Sequence, residues 1–272
     1  MNLSGKVALI TGGGQGIGTA IAQRFVADGA KVCITGRTQS KLDKVAGSLP
    51  PGSVATCSGD VSKDEDAKRM VDATVSFGGK IDVLVNNAAI DPGGSVADLD
   101  SALWRQVIEI NLTGPFLLMK AAIPYMIKNG GGSIINISAL SAMRCLPGMP
   151  AYATAKAGLN MLTQQVALDY GPYKIRSNVV CPGGTRTAMI EEALGSLKGA
   201  LKTDVEGVFK VVSSGLPLRR FATPEEITGI CSYLASDDSS FMTGSVLLID
   251  GGSAVVDVSG ATLTQAGVKW GM

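Results

Sequence analysis

Short runs of β-branched and apolar residues alternate along the chain with longer stretches in which apolar positions recur at helical spacing. The short runs predict strands at 7–10, 31–35, 54–57, 81–85, 133–138, 176–181 and 246–249. Helices are predicted between them, near 16–28, 38–48, 63–77, 100–128, 152–170 and 224–235. Parallel strands cannot be joined by tight turns, so seven strands separated by helical segments predict a doubly wound α/β fold: one parallel seven-stranded sheet with helices on both faces. The rhythm breaks between about 187 and 218, where 189–201 reads as helical but no strand precedes the segment after it. An insertion after a strand's carboxyl end is where such folds keep a lid, and an ordinary surface excursion fits the same pattern. Residues 1–272 are expected to form one domain, with that insertion and a C-terminal extension of about 253–272.

Composition narrows the classes. A chain of 272 residues can bury a substantial single core. Its 24 basic and 23 acidic residues nearly cancel, and no basic run stands out, so neither nucleic acid nor an anionic membrane is expected as a partner. There is no histidine and no Cys-x-x-Cys, which argues against a zinc site and a histidine-based triad. The five cysteines are odd in number and widely spaced, as in a reduced, cytoplasmic protein. No apolar run reaches the ~18 residues that span a bilayer.

Candidate chemistry gathers in Pro150-Ala151-Tyr152-Ala153-Thr154-Ala155-Lys156. On a helix, positions i and i+4 share a face, so Tyr152 and Lys156 can address one ligand. Bringing a phenol from ~10 toward ~7 takes about 4 kcal/mol, which is what one cation ~4 Å away supplies at an effective dielectric of ~20. The pair is therefore a candidate general acid/base. A second signal follows the first strand, in Thr11-Gly12-Gly13-Gly14-Gln15-Gly16-Ile17-Gly18. Glycines there let the backbone turn and approach a pyrophosphate at a helix N-terminus. The spacing is neither the usual dinucleotide fingerprint nor a P-loop.

With Asn86-Asn87-Ala88, Asn111, Tyr152-x-x-x-Lys156, Pro182-Gly183 and Thr187, this loop resembles the classical short-chain dehydrogenase/reductase family over residues 6 to about 252. The resemblance implies a Rossmann-like sheet that binds a nicotinamide dinucleotide. It implies Tyr152 as acid/base, Lys156 as ribose ligand and tuner of the phenol, and Asn111 as the residue that positions a water in the proton relay. Gly12, Gln15, Gly16, Ile17 and Gly18 would form the phosphate loop, Asp60 and Val61 would contact adenine, and Asn87 and Ala88 would line the cofactor. Pro182 and Gly183 would border it, and Thr187 would hold the carboxamide. It further implies a homotetramer or dimer. Ala89 stands where the family usually has glycine.

Two positions refine the reading. An NAD site wants a carboxylate at the end of the second strand. This chain has Gly36-Arg37 there, room plus a guanidinium fork suited to a 2′-phosphate, so NADP is favoured over NAD, although Gln15 occupies a place where a second basic residue would strengthen that choice. The family's catalytic serine falls at Ala139, flanked by Ser138 and Ser141. If the extended chain continues, alternation turns Ser141 to the side that Ala139 faces, so Ser141 is favoured and Ser138 is the alternative. Met143, Arg144, Met149, Met189 and Leu194 are candidate pocket residues, with Arg144 a candidate for greeting an acidic substrate. The expected reaction is hydride transfer between NADP(H) and a carbonyl or secondary alcohol carbon of a small molecule. A non-catalytic NADP-binding sensor or structural subunit, and a cofactor-retaining isomerase or epimerase, are the competing readings.

Overall fold

The central strands alternate their buried side chains between two layers. Ala8 and Ile10 of β1 (Val7–Thr11), Val32 and Ile34 of β2 (Lys31–Gly36), and Val83 and Val85 of β4 (Val83–Asn86) join one apolar cluster. The residues between them, Leu9, Cys33 and Leu84, join the other. That period of two requires helices on both faces, and they are present. Ile21 and Phe25 of α1 (Gly16–Ala27) and Ile227, Cys231 and Leu234 of α10 (Pro224–Ala235) close the first face. Met70 and Val71 of α3 (Asp64–Gly78) and Leu118, Met119 and Ala122 of α5 (Gly114–Lys128) close the second. This computed structural model describes residues Met1–Asp257.

The remaining strands are β3 (Val54–Ser58), β5 (Gly132–Ile137), β6 (Ile175–Pro182) and β7 (Val246–Ile249), and the sheet order is β3-β2-β1-β4-β5-β6-β7. All neighbouring pairs are parallel. The order reverses between β1 and β4, and a crevice opens at that switch point beyond the carboxyl ends of the strands. The expected seven-stranded doubly wound α/β sheet is therefore the fold. Strand edges lie within two residues of the sequence reading and match it at β7, the largest shift being at β4, just before which Asp82 accepts from Val7 N–H of β1 at 2.7 Å.

Two helical segments differ from the expectation. The predicted 100–128 helix is α4 (Ser101–Ile108), a π-helical turn (Glu109–Thr113) and α5 in one continuous run. As one helix, Ser101–Lys128 has the length and composition to cross a membrane, which reading for unbroken apolar runs did not reveal. Just over half, 56%, of its most apolar window is buried inside the fold, as in a packing helix. The predicted helix 189–201 is broken. Residues 187–218 instead hold α7 (Ala188–Gly195), the single turn α8 (Lys198–Leu201) and α9 (Val205–Ser213). This excursion is pinched at its base by Arg186 N–H to Ala222 O at 2.8 Å and Ala222 N–H to Gly184 O at 2.9 Å. The C-terminal extension, with Trp270, lies almost wholly outside the described residues.

Candidate active site

At the switch point lies a cavity of about 320 Å³ that runs from the end of β2 to the start of the helix bearing Tyr152. Its wall contains Gly12, Gln15, Gly16 and Ile17, then Arg37, Asp60, Val61, Asn87 and Ala88, and finally Tyr152, Lys156, Pro182, Gly183 and Thr187. Of the predicted residues, Gly18, Asn111 and Ser141 are not on this wall. Gly18 acts one step behind it. A Cβ there would stand 2.3 Å from Gly12 O and 2.6 Å from Asn87 Nδ2, so its bare Cα is what lets α1 sit down on the loop. Gly12 (φ 66°) and Gly16 (φ 56°) hold the left-handed backbone that brings the loop around.

The loop is shaped for an anion. Gln15 precedes α1 with extended backbone, no side chain caps the helix, and no acidic residue occupies its first turn, so the N-terminal amides and dipole are left for a ligand. At the far end of the cavity the wall includes Gly36, Arg37, Thr38 and Lys41. Lys41, on the first turn of α2 (Gln39–Gly47), donates to Gln15 Oε1 at 2.9 Å. The glutamine that the sequence offered in place of a base is thus joined to one. Reading the strand-end motif alone missed Lys41; its signal was a lysine on the first turn of the helix that follows Arg37. Asp60 is fixed as a turn residue, accepting from Ser62 N–H at 3.0 Å and Ser62 Oγ at 2.7 Å, and α3 begins later, at Asp64.

At the other end, α6 (Pro150–Tyr170) carries Tyr152 and Lys156 one turn apart. A buried chain of side chains seats this helix: Asn86 Nδ2 donates to Asn136 Oδ1 at 2.8 Å, and Asn136 Nδ2 donates to Thr163 Oγ1 at 2.8 Å. Lys156 is buried and donates to Ile137 O at 2.7 Å, with Nζ 5.5 Å from the centre of the Tyr152 ring. Desolvation pushes the ammonium down to about 8, while the charges of Cys181 and Asp91 oppose that shift. The phenol does not move in the direction expected from its spacing to the lysine. In the cofactor-free protein burial holds Tyr152 above its ordinary value, and the Asp91 carboxylate adds to the rise. Desolvation of the phenolate is the largest cause, and the Lys156 ammonium spends a hydrogen bond on Ile137 O.

Asn111 sits in the π turn and is fully buried. Its Oδ1 accepts from Ile90 N–H at 2.9 Å and its Nδ2 donates to Ile90 O at 2.8 Å. The side chain therefore ties the loop after β4 to the helix run, with both its polar ends engaged. Thr11 supports the same loop, accepting from Asn87 N–H at 2.9 Å and Ala88 N–H at 3.0 Å. Asp91 follows Ile90. It was not among the predicted residues, and an acid directly after Asn-Asn-Ala-Ala-Ile was the available signal.

The serine question changes form. The strand does not continue extended to Ser141; after Ala139 the chain enters a 3-10 turn, Leu140–Ala142, so side alternation does not apply there. Ser138 and Ala139 are on the cavity wall, but the Ser138 hydroxyl donates to Lys156 O at 3.1 Å. Ser141 Oγ is buried and has no hydrogen-bond partner. Among the candidate pocket residues, Met189 is on the wall beside Thr187, which caps α7 by accepting from Ile190 N–H at 3.4 Å. Arg144 is committed elsewhere, donating to Ala254 O at 2.7 Å.

Residues 12–254 match the family described as enoyl-(acyl carrier protein) reductase. The human dehydrogenase/reductase SDR family member 4 is 36% identical over 261 residues, covering 92% of this chain and 88% of that protein. The trans-4-hydroxycyclohexanecarboxylate dehydrogenase of Sinomonas cyclohexanicum is 42% identical over 255 residues, covering 91% and 92%. The crystal structure of L-sorbose reductase from Gluconobacter frateurii, complexed with NADPH and L-sorbose, superimposes with a TM-score of 0.90 at 30% identity, covering 94% of this chain and 99% of that one. Matches of this extent to proteins that interconvert alcohols and carbonyls identify the chain as an oxidoreductase and a member of the short-chain dehydrogenase/reductase family.

Proposed function

We propose that this protein transfers a hydride between NADP(H) and a carbonyl or secondary alcohol carbon of a small molecule, with Tyr152 exchanging the proton. The observation that carries this reading is one continuous cavity with a phenol–ammonium pair at one end and the Arg37–Lys41 pair at the other. The nicotinamide, when bound, supplies or accepts the hydride. Everything else falls to the chain. The α1 amides bind the pyrophosphate, Arg37 and Lys41 bind the 2′-phosphate by charge-assisted contacts, and Thr187 orients the carboxamide. Lys156 holds the ribose and carries the positive charge that a phenolate needs. Tyr152 donates to the developing alkoxide during reduction and takes the proton back during oxidation. The proposed donor to the substrate oxygen is Ser141, whose uncommitted hydroxyl is buried next to the cavity wall rather than on it, with Ser138, which is on the wall but donates to Lys156 O, as the alternative.

The NADPH held by the sorbose reductase, a protein of the same fold, supports the cofactor choice. Five free cysteines, four of them buried, support a reducing, cytoplasmic setting. A homodimer or homotetramer is the assembly we infer, because Leu168 on α6 and Phe241 ahead of β7 are exposed large apolar side chains. The test is cofactor fluorescence during incubation with a panel of ketones and alcohols. A net change is expected. Product without net change would make the protein an isomerase or epimerase, and cofactor binding without any turnover would make it a sensor.

A further inference from the structure

Beyond the catalytic end of the cavity, apolar side chains continue the wall out to solvent. Met189, on the first turn of α7, is on the wall and also exposed. The turn that leaves Ala139 of the wall, closed by Ala142 N–H to Ala139 O at 3.1 Å, delivers Met143 and then Leu146, both exposed. Arg144 between them reaches Ala254 O at 2.7 Å, next to the exposed Val255. Leu218, at the far end of the insertion, is exposed as well, and its N–H donates to Gly251 O at 3.3 Å. Asp250, one residue earlier, lies against Gly183 of the wall, where a Cβ would stand 2.8 Å from Asp250 Cα. The stretches that leave the wall thus end in large apolar side chains at its edge.

The charges nearby are already spent. The charged residues of the wall are Arg37, Lys41, Asp60 and Lys156; the first three serve the adenosine end, and Lys156 donates to Ile137 O. Around the mouth, Arg144 is held by Ala254 O, and Asp250 accepts from Gly252 N–H at 3.0 Å and Ala254 N–H at 2.7 Å. Arg186 is shared between Glu191 and Glu206. A charged substrate would lose water here without gaining a partner, whereas an apolar one would cover side chains that now face water. We infer that Met143, Leu146, Met189, Leu218 and Val255 form the outer part of the substrate site, and that the substrate is an uncharged ketone or secondary alcohol whose apolar body, a chain or ring, extends from the reacting carbon across this rim. This rests on the oxidoreductase reading and names the substrate class. Continuity with the wall beside Tyr152 assigns the patch to substrate rather than to a second copy of the chain.

The test gives the full chain, with its cofactor, the methyl ketones 2-butanone, 2-hexanone and 2-octanone. For the wild type, kcat/KM should rise by about two- to fourfold per methylene as the chain crosses the rim. 2-Hexanone should be preferred to L-sorbose, a ketone of the same carbon number, and 2-octanone to 7-oxooctanoate, which adds a carboxylate at the far end, each by about tenfold or more. In Leu218→Ser with Val255→Ser, and separately in Met143→Ser, the octanone-to-butanone ratio should fall by about tenfold. These side chains are exposed, and cofactor affinity checks that each variant is folded; if one is not, the other carries the test. A flat series, a preference for sorbose or the oxo acid, or a ratio unchanged in both variants overturns the inference and leaves the oxidoreductase reading standing. If the double variant changes the sedimenting mass instead of the ratio, the patch belongs to a second copy and the inference falls. No turnover of any substrate while cofactor binds overturns the oxidoreductase reading, and the inference with it.

Discussion

Tyr152 must be lowered from a raised starting point, which sharpens what its neighbours do. Replacing it with Phe removes the only proton that the proposed reaction exchanges, so turnover should fall to near background while cofactor affinity, measured by fluorescence titration, stays close to wild type. Wild-type-like rates would remove Tyr152 from the mechanism. The oxyanion donor is tested beside it. Ser141→Ala should cost ~2.7–4 kcal/mol, on the order of a hundred- to thousandfold in kcat, and Ser138→Ala less, because the Ser138 proton is already given to Lys156 O. The reverse ranking assigns the role to Ser138. Lys156 makes a prediction about stability as well as rate. Its folded value of about 8 lies below the ordinary lysine value, so between roughly pH 8 and 10.5 the unfolded chain binds the extra proton and unfolding becomes harder as pH rises. The difference in unfolding free energy between wild type and Lys156→Met, both cofactor-free, should therefore shift in favour of wild type by about 3 kcal/mol across that window. Thiols and a phenol that burial holds above their ordinary values titrate in this range in the unfolded chain, which is why the difference is the quantity to measure by denaturant titration. A flat difference would mean that Lys156 is not desolvated as the fold implies.

At the scale of elements, cofactor choice depends on a strand end and a helix start acting together. β2 delivers Gly36-Arg37, and the first turn of α2 brings Lys41 to Gln15 of the glycine loop. Losing one charge-assisted contact to a phosphate should weaken NADP(H) by ~1.5–3 kcal/mol, roughly ten- to hundredfold in Kd, for either Arg37→Ala or Lys41→Ala. Neither change should weaken NAD(H) comparably. Gly36→Asp adds a carboxylate with space for it, since a Cβ there meets only Leu42 Cδ2 at 3.5 Å, and should turn preference toward NAD(H). A wild type that binds NAD(H) at least as tightly as NADP(H) in calorimetry would overturn the assignment. The insertion is organised by a single residue in the same way. Arg186, at its root, bonds Glu191 of α7 and Glu206 of α9 and lies 4.5 Å over the Phe209 ring, which meets Phe221 edge to face. This side chain joins both ends of the excursion next to Thr187.

On the scale of the molecule, the apolar surface argues for assembly. Leu168 is 74% exposed and Phe241 entirely so, while Gly244 packs toward Ala167 and brings the two regions together. Burying such residues against a second copy is the inexpensive way to remove them from water. Sedimentation should give a multiple of 27.9 kDa for the wild type, and Leu168→Asp with Phe241→Asp should shift it toward a single chain. A wild type that sediments as a single chain at micromolar concentration would rule out the inferred oligomer.

The sequence by itself determined the fold class and the order of the elements, because the switch between period 2 and period 3.6 is local and the requirement for a parallel sheet comes from connection length. It also placed Gly12 and Gly16 in the turn between the first strand and helix and Tyr152 and Lys156 one turn apart on one helix, relations set by neighbours three or four positions away. What it left open depended on groups distant along the chain. Asn111 meets Ile90 across 21 residues, Lys41 meets Gln15 across 26, and Arg144 meets Ala254 across 110. The direction of the Tyr152 shift was misjudged for the same reason. A helical i, i+4 rule places the ammonium but says nothing about how much water the fold removes, or about a carboxylate delivered from the loop after β4. Only tertiary packing sets both, since desolvation and field are sums over everything that surrounds a group, whatever its distance in sequence.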